Sequence, residues 1–249
     1  LAGVTFTEHY DCHPIERPLC IYNYTRIADT VAALKERFAG QIDIGLGIEV
    51  CFQPDHMDQV LKHLDSCDFD LVLLSIHWFE GRALHYRDHW ETISPQEATQ
   101  SYLRTVLQAV QFALELNRRG RSPFQVLAHL DLVKRYTQRY FNYYDITPYR
   151  DLLDEILQTC ILAGLVLELN CSTWRQSLAE PMPADWTIQR YAELGGQAMT
   201  IGSDAHHTPD VGTGLDRGVE TMKEAGIQYQ AVFMNRQRYD IPLNQTASC

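Results

Sequence analysis

The chain lacks any C-x-x-C or similarly close cysteine pair. Its seven cysteines, Cys12, Cys20, Cys51, Cys67, Cys160, Cys171 and Cys249, are odd in number and scattered. That argues against a disulfide framework and suits free thiols in a reducing cytoplasm. No stretch approaches the roughly 18 consecutive apolar residues of a membrane span. Positive charge is scarce as well, with 21 lysines and arginines against 32 acids, a formal net charge of −11. Such a field repels nucleic-acid polymers and anionic membrane surfaces, so neither is an expected partner. An anionic substrate would need metal ions or arginines to reverse the field locally. Linkers, repeats and low-complexity stretches are absent too, so the 249 residues read as one domain, 1–249, a common length for a single β/α barrel.

What the chain does have is strand and helix in alternation. Residues 4–7 are β-branched and aromatic and run straight into Glu8-His9. Residues 21–38 carry Ile27, Val31, Leu34 and Phe38 at helical spacing, and Gly40 stops them. Further strands are predicted at 42–50, 69–75, 124–128, 165–170 and 197–200, with a weaker one at 231–233. Helices are predicted at 54–64, 95–116, 148–163, 186–194 and 216–225. A polar loop with His85, Arg87 and His89 precedes the longest of them. Near-continuous apolar strands separated by helices mean a parallel sheet covered by helices. The ionisable residues fall consistently after strands, where a β/α barrel places its active site. An open doubly wound sheet would gather its site at one switch point instead, so a barrel is expected.

Those strand-end residues are His9, Glu49, His77, His129, Asp204 and His206. Asp204 and His206, two apart just past a strand, make a good ligand pair for Zn, Mn or Fe. Taken alone, the same pair reads as a helix cap and a loop histidine. Four imidazoles and two carboxylates at one barrel mouth exceed a single four-ligand structural zinc site. They suit two or three divalent metal ions with Glu49 or Asp204 bridging, an arrangement that clamps the attacking and leaving oxygens of phosphate hydrolysis.

The segments around them carry a resemblance. Thr7-Glu8-His9, Gly47-Ile48-Glu49, Ser75-Ile76-His77, Ala128-His129-Leu130-Asp131 and Gly202-Ser203-Asp204-Ala205-His206, in this order, resemble the PHP (polymerase and histidinol phosphatase) superfamily. Glu168-Leu169-Asn170 with Arg175, and Phe233-Met234-Asn235-Arg236, look like its monofunctional histidinol-phosphate phosphatases. The resemblance implies a distorted seven-stranded β/α barrel holding up to three divalent metals, and hydrolysis of a phosphate monoester, L-histidinol phosphate above all, in histidine biosynthesis. Carried over residue by residue, Glu49 matches the bridging carboxylate, His77 and His129 match ligands of one metal, and His9 and His206 match ligands of another. Asp204 matches a further metal-binding carboxylate. Arg135 and Arg175 are the expected phosphate contacts, since a guanidinium fork fits phosphate oxygens. Water activated by the cations would attack phosphorus, and Asp204, His206 or His9 would protonate the leaving alkoxide.

One departure stands out. The Asp-x-His-x-His segment with which the family opens has no counterpart here, so the expectation is that a first strand–helix unit precedes Leu1. Asp11-Cys12-His13 has only a superficial likeness to it, and His13 reads as a loop residue. His56 and His63 are expected to be exposed, and His207 to point away from the site. Trp78 and Trp174 read as pocket wall or as core. Glu80 or Asp88 is a candidate partner for a substrate amine. The rival functions are a nucleotide-directed phosphodiesterase and a metal-binding module without turnover.

Overall fold

The computed structural model describes residues 1–16, 22–176 and 178–243. Cys20, Ile21 and Cys249 lie outside the described residues. In chain order the elements are β1 (Gly3–Tyr10), α1 (Tyr24–Arg37), β2 (Asp43–Cys51), α2 (Met57–Ser66), β3 (Leu71–Ser75), β4 (Trp78–Phe79) and β5 (Arg82–Ala83). Then come α3 (Pro95–Arg118), β6 (Val126–Leu127), α4 (Val133–Phe141), α5 (Arg150–Leu162), β7 (Val166–Asn170) and α6 (Asp185–Glu193). The last are β8 (Ala198–Gly202), α7 (Leu215–Glu224), β9 (Tyr229–Met234) and β10 (Gln237–Pro242).

The principal sheet has eight strands in the order β1-β2-β3-β6-β7-β8-β9-β10. It is parallel from β1 to β9, and β10 returns antiparallel on β9. Strand alternation sorts its side chains into two layers. Val72 and Leu74 of β3 and Leu167 and Leu169 of β7 pack into one large core with the helices. Leu71, Leu73, Val126, Ala128, Val166, Ala198, Ala231 and Phe233 form a second core made of strand and near-strand residues alone. Leu71 and Phe233 belong to strands four places apart in the ladder, so the sheet curls enough to bring both into this one core. Among the described residues the hydrogen-bond ladder itself stays open, with no pairing between β1 and β9 or β10.

A polar clasp fixes the curl. Asn235 and Arg236 both adopt positive φ, 50° and 60°, and turn the β9–β10 hairpin. The Asn235 amide donates to Asp70 Oδ1 at 3.0 Å, and the Arg236 guanidinium donates to the carbonyls of Leu64 and Cys67. Asp70 Oδ2 accepts from the Leu46 amide at 2.8 Å and from Lys35 Nζ at 3.0 Å. One buried carboxylate thus joins α1, β2, β3 and the last hairpin.

Local chemistry explains most element boundaries. Ser94 and Glu97 close a capping box on α3 with Pro95 in its first turn, and Asn23 caps α1. Three elements differ from the sequence expectation. The β4–β5 hairpin is only two residues long on each side, turning at Glu80 and Gly81. Strand β10 is almost wholly exposed and shows no apolar alternation. Helix α4 buries Val133, Lys134 and Thr137, so polar residues interrupt the apolar face that would have revealed it. His56 and His63 are also not the exposed residues expected: His56 is half-buried in the turn after β2, and His63 is held by the end of β1. His63 is half-buried, stacks on Tyr10 at 4.3 Å and meets Tyr22 Oη at 3.0 Å, because the end of β1 lies against α2. No described helix is long and apolar enough to cross a membrane.

Candidate active site

Parallel pairing with β1 beside β2 puts His9 directly opposite Glu49, on the same face of the sheet. Glu49 also lies opposite Leu73 of β3, whose chain continues two residues past Ser75 to His77. The result is a buried carboxylate ringed by imidazoles. Glu49 Oε1 lies 2.8 Å from His129 Nε2 and 3.1 Å from His77 Nε2, and Oε2 lies 3.7 Å from His9 Nδ1. The His9 and His77 rings are 5.2 Å apart, His77 and His129 5.5 Å, and His9 and His206 6.0 Å. All six predicted ligands border one cavity of about 580 Å³.

Electrostatics follow from that crowding. Burial works against the Glu49 carboxylate, yet the charge of His9 and the hydrogen bonds from His129 and His77 outweigh it and hold its pKa well below the usual range. Burial likewise opposes charge on His77, but Asp11, Cys51 and Glu49 around it raise its pKa well above that of a free imidazole. Positive charge is therefore what this pocket calls for, and a divalent cation supplies it. The donors fit: one ligand atom each from His9, Glu49 and His77 lie within 4.8 Å of one another. His129 Nδ1 is buried with no hydrogen-bond partner among the described residues.

Across the cavity, Asp204 sits past the end of β8 with φ of +48°, a left-handed backbone uncommon outside glycine. His129, after β6, is similarly turned at +26°. Both strained residues are predicted ligands. Asp204 Oδ2 lies 3.3 Å from Arg135 Nη2 and 3.1 Å from Ser172 Oγ, and Ser172 in turn accepts from Arg135. Burial raises the Asp204 pKa, but His129, Arg135 and His206 outweigh it and keep the group below its ordinary value. His206, on the exposed rim, turns Nδ1 to the Asp204 carbonyl at 3.2 Å, which leaves Nε2 as the nitrogen able to take a metal or a proton.

The two predicted arginines meet different parts of Asp204, Arg135 its carboxylate and Arg175 its carbonyl. Arg135 borders the cavity. Arg175 stands behind, donating to Thr213 Oγ1 at 2.8 Å and to the Asp204 carbonyl at 3.1 Å, with Asp210 3.5 Å from Nε. It braces the segment that carries Asp204 and His206.

Two residues of the site were noted in the sequence but not expected to act there. Asp11 Oδ1 lies 3.5 Å from His77 Nδ1. Glu168 is buried inside β7, where Oε2 accepts from the His129 amide at 2.9 Å and from Asn170 Nδ2 at 3.3 Å. Burial, with the charges of Asp204 and Glu49 behind it, pushes the Glu168 pKa up to about 7. A carboxylate amid an apolar strand was the visible signal for it. Neither Glu80 nor Asp88 borders the cavity; its wall acids, besides the predicted ligands, are Glu8, Asp11 and Glu16. His85 borders it, 2.9 Å from Glu16, whereas His89 accepts the Ala83 amide and steadies the β4–β5 hairpin. His13 stacks on buried Trp78 at 3.5 Å, and His207 is exposed.

Comparison with known proteins points the same way. The family model for the PHP domain matches residues 1–172. The chain is 32% identical over 164 residues to a probable histidinol-phosphatase of Thermotoga maritima, a match that spans 66% of this chain and 60% of the relative. It is 26% identical over 230 residues to a probable histidinol-phosphatase of Clostridium acetobutylicum, covering 91% and 83%. Among solved structures, a histidinol phosphate phosphatase of Lactococcus lactis, crystallised with zinc, L-histidinol and phosphate, superposes with a TM-score of 0.80 at 22% identity, covering 96% of this chain and 88% of that one.

Proposed function

The chain belongs to the PHP domain family, and from that premise we propose that it hydrolyses a phosphate monoester, L-histidinol phosphate, to L-histidinol and phosphate. The observation that carries the reading is Glu49, a buried carboxylate with His9, His77 and His129 around it, in the same cavity as Arg135. The substrate is narrowed by the relatives, which are named histidinol-phosphatases.

His9, Glu49, His77, His129, Asp204 and His206 would hold two or three divalent metal ions, Zn, Mn or Fe. Such ions supply Lewis-acid activation of water and of the phosphoryl group. The chain's own residues do the rest. Arg135 binds phosphate oxygens from the cavity wall, and its contact with Asp204 and Ser172 keeps the guanidinium pointed there. Arg175, expected as a second phosphate contact, is outside the cavity lining and serves instead to fix the Asp204 segment. His206, held through Nδ1, has Nε2 left either to bind a metal ion or to donate a proton to the leaving alkoxide, one role excluding the other, with His9 or Asp204 as the alternatives for the proton. Cys51, Cys67, Cys160 and Cys171 are free thiols, consistent with a reducing cytoplasm as the place of reaction.

The test is phosphate release from L-histidinol phosphate by the purified protein, before and after EDTA and with each metal restored. Release that EDTA abolishes and Zn²⁺ or Mn²⁺ restores is expected. Release indifferent to EDTA, or none with any metal, overturns the reading.

A further inference from the structure

A histidine ligand works only if its ring is turned and its proton placed so that one nitrogen offers a lone pair to the metal. A carboxylate on the other ring nitrogen commonly does both. His77 has a carboxylate at each ring edge: Nε2 lies 3.1 Å from Glu49 Oε1 and Nδ1 lies 3.5 Å from Asp11 Oδ1. Its backbone is pinned independently, since the His77 amide donates to Cys51 Sγ at 3.3 Å at the end of β2. Asp11 follows β1 by one residue, and its side chain is 15% exposed. We propose that Asp11 is a positioning residue: it holds the proton of His77 on Nδ1 and so turns Nε2, unprotonated, toward Glu49 and the metal they share.

The inference rests on the metal-dependent reading above and deepens it. Strand β1 would then deliver two things at once, His9 as a ligand and, two residues on, the carboxylate that orients a ligand from β3. A rival exists, because Asp11, Cys51 and His77 also place three ligand atoms within 4.8 Å of one another. An ion there would have to share the His77 ring with the ion beside Glu49. It would also need a thiolate from a residue that is 1% exposed and whose sulfur already accepts an amide hydrogen. The positioning role makes neither demand, and Asp11 Oδ1, buried with no hydrogen-bond partner among the described residues, is available to take the Nδ1 proton of His77.

The test is equilibrium competition for Zn²⁺ between a chelator and the full chain, comparing the parent with Asp11→Ala, Asp11→Asn and Glu49→Gln. Removal of an outer partner of a metal-bound histidine typically weakens binding by about 10–100-fold, which is the loss expected for Asp11→Ala. Asp11→Asn, nearly the same shape and still an acceptor, should fall between it and the parent. Ring ¹⁵N spectra of the zinc-loaded protein, with the His77 signals assigned by their loss in His77→Gln, should show a proton on Nδ1 in the parent and mixed tautomers in Asp11→Ala. If Asp11→Ala binds zinc as the parent does while Glu49→Gln does not, Asp11 has no such role and the metal site stands. If Glu49→Gln also binds as the parent does, the metal site falls and this inference with it. If Asp11→Ala and Cys51→Ser each lose one whole zinc, and the Co²⁺-loaded parent shows thiolate-to-cobalt absorption, Asp11 is itself a ligand and the positioning role is overturned.

Discussion

Gly202 turns its bare α-carbon to the buried carboxylate of Glu168: a Cβ at that position would lie 2.4 Å from Oε1. The two residues are on adjacent strands, β7 and β8, and the contact lets Glu168 reach the His129 amide. We predict that Gly202→Ala displaces this carboxylate. Overpacking and the loss of its hydrogen bonds together should destabilise the fold by about 1–3 kcal/mol. With the turn at His129 loosened, metal affinity should fall too. Urea denaturation and chelator competition measure the two effects; a variant matching the parent in both would show that Glu168 moves without consequence.

Glu49→Gln is predicted to lower bound metal and phosphatase rate together, because a neutral amide cannot balance the cations between three imidazoles. His56→Ala, at a half-buried position outside the cavity lining, should leave metal content near that of the parent. Elemental analysis of the purified variants decides it. Equal metal in Glu49→Gln and the parent removes Glu49 from the site.

For Arg135, replacement by lysine keeps the charge and loses the fork. Arg135→Lys should cost about 2–5 kcal/mol in kcat/KM on a phosphate monoester. Arg175→Lys should also fail to restore parent activity, since an ammonium cannot hold Thr213 and the Asp204 carbonyl at once. Steady-state kinetics on both variants are the check, and unchanged kcat/KM in Arg135→Lys assigns phosphate binding elsewhere.

Lys134 is fully buried, 3.0 Å from Asp131 Oδ2 and 3.3 Å from Glu180 Oε1. Removing one partner of a buried pair strands the other, so Lys134→Met should destabilise the protein by about 3–5 kcal/mol. Denaturant titration measures it, and a loss under about 1 kcal/mol, within the range of surface pairs, would mean that the two acids find other partners.

Asp70 gives a pH signature. Burial raises its pKa, but the Asn235 and Leu46 amides and Lys35 outweigh it and hold the folded value below the ordinary one. A depressed folded pKa means stability that is fully present above the unfolded value of about 4 and lost as pH falls through the folded one. With EDTA present throughout, the parent should therefore lose more stability between pH 5 and pH 3 than Asp70→Asn does. Parallel urea curves at each pH test it; a constant gap between the two proteins would show that Asp70 does not titrate with folding.

The sequence alone determined the alternation of strands and helices and, with it, the common edge where His9, Glu49, His77, His129, Asp204 and His206 meet. Parallel strands all end on one side, so a residue's place at a strand end is enough to put it at the site. Periodicity also found the weak strand near Ala231, though not the hairpin it forms with β10. What only the tertiary structure decided depends on partners far apart in the chain. Lys134 reads as a surface charge until Asp131 and Glu180 close around it. Asp11 reads as a loop acid until β1 and β3 bring it to His77. The curl of the sheet depends on Phe233 joining Leu71 in one core and on Asn235 reaching Asp70, 165 residues away in the chain. Helical and strand periodicity records which face of an element is buried, and that is a local property. Which buried polar group compensates which other is settled only when distant segments are packed together, because a charge is stable in the interior only beside the partner that the fold delivers.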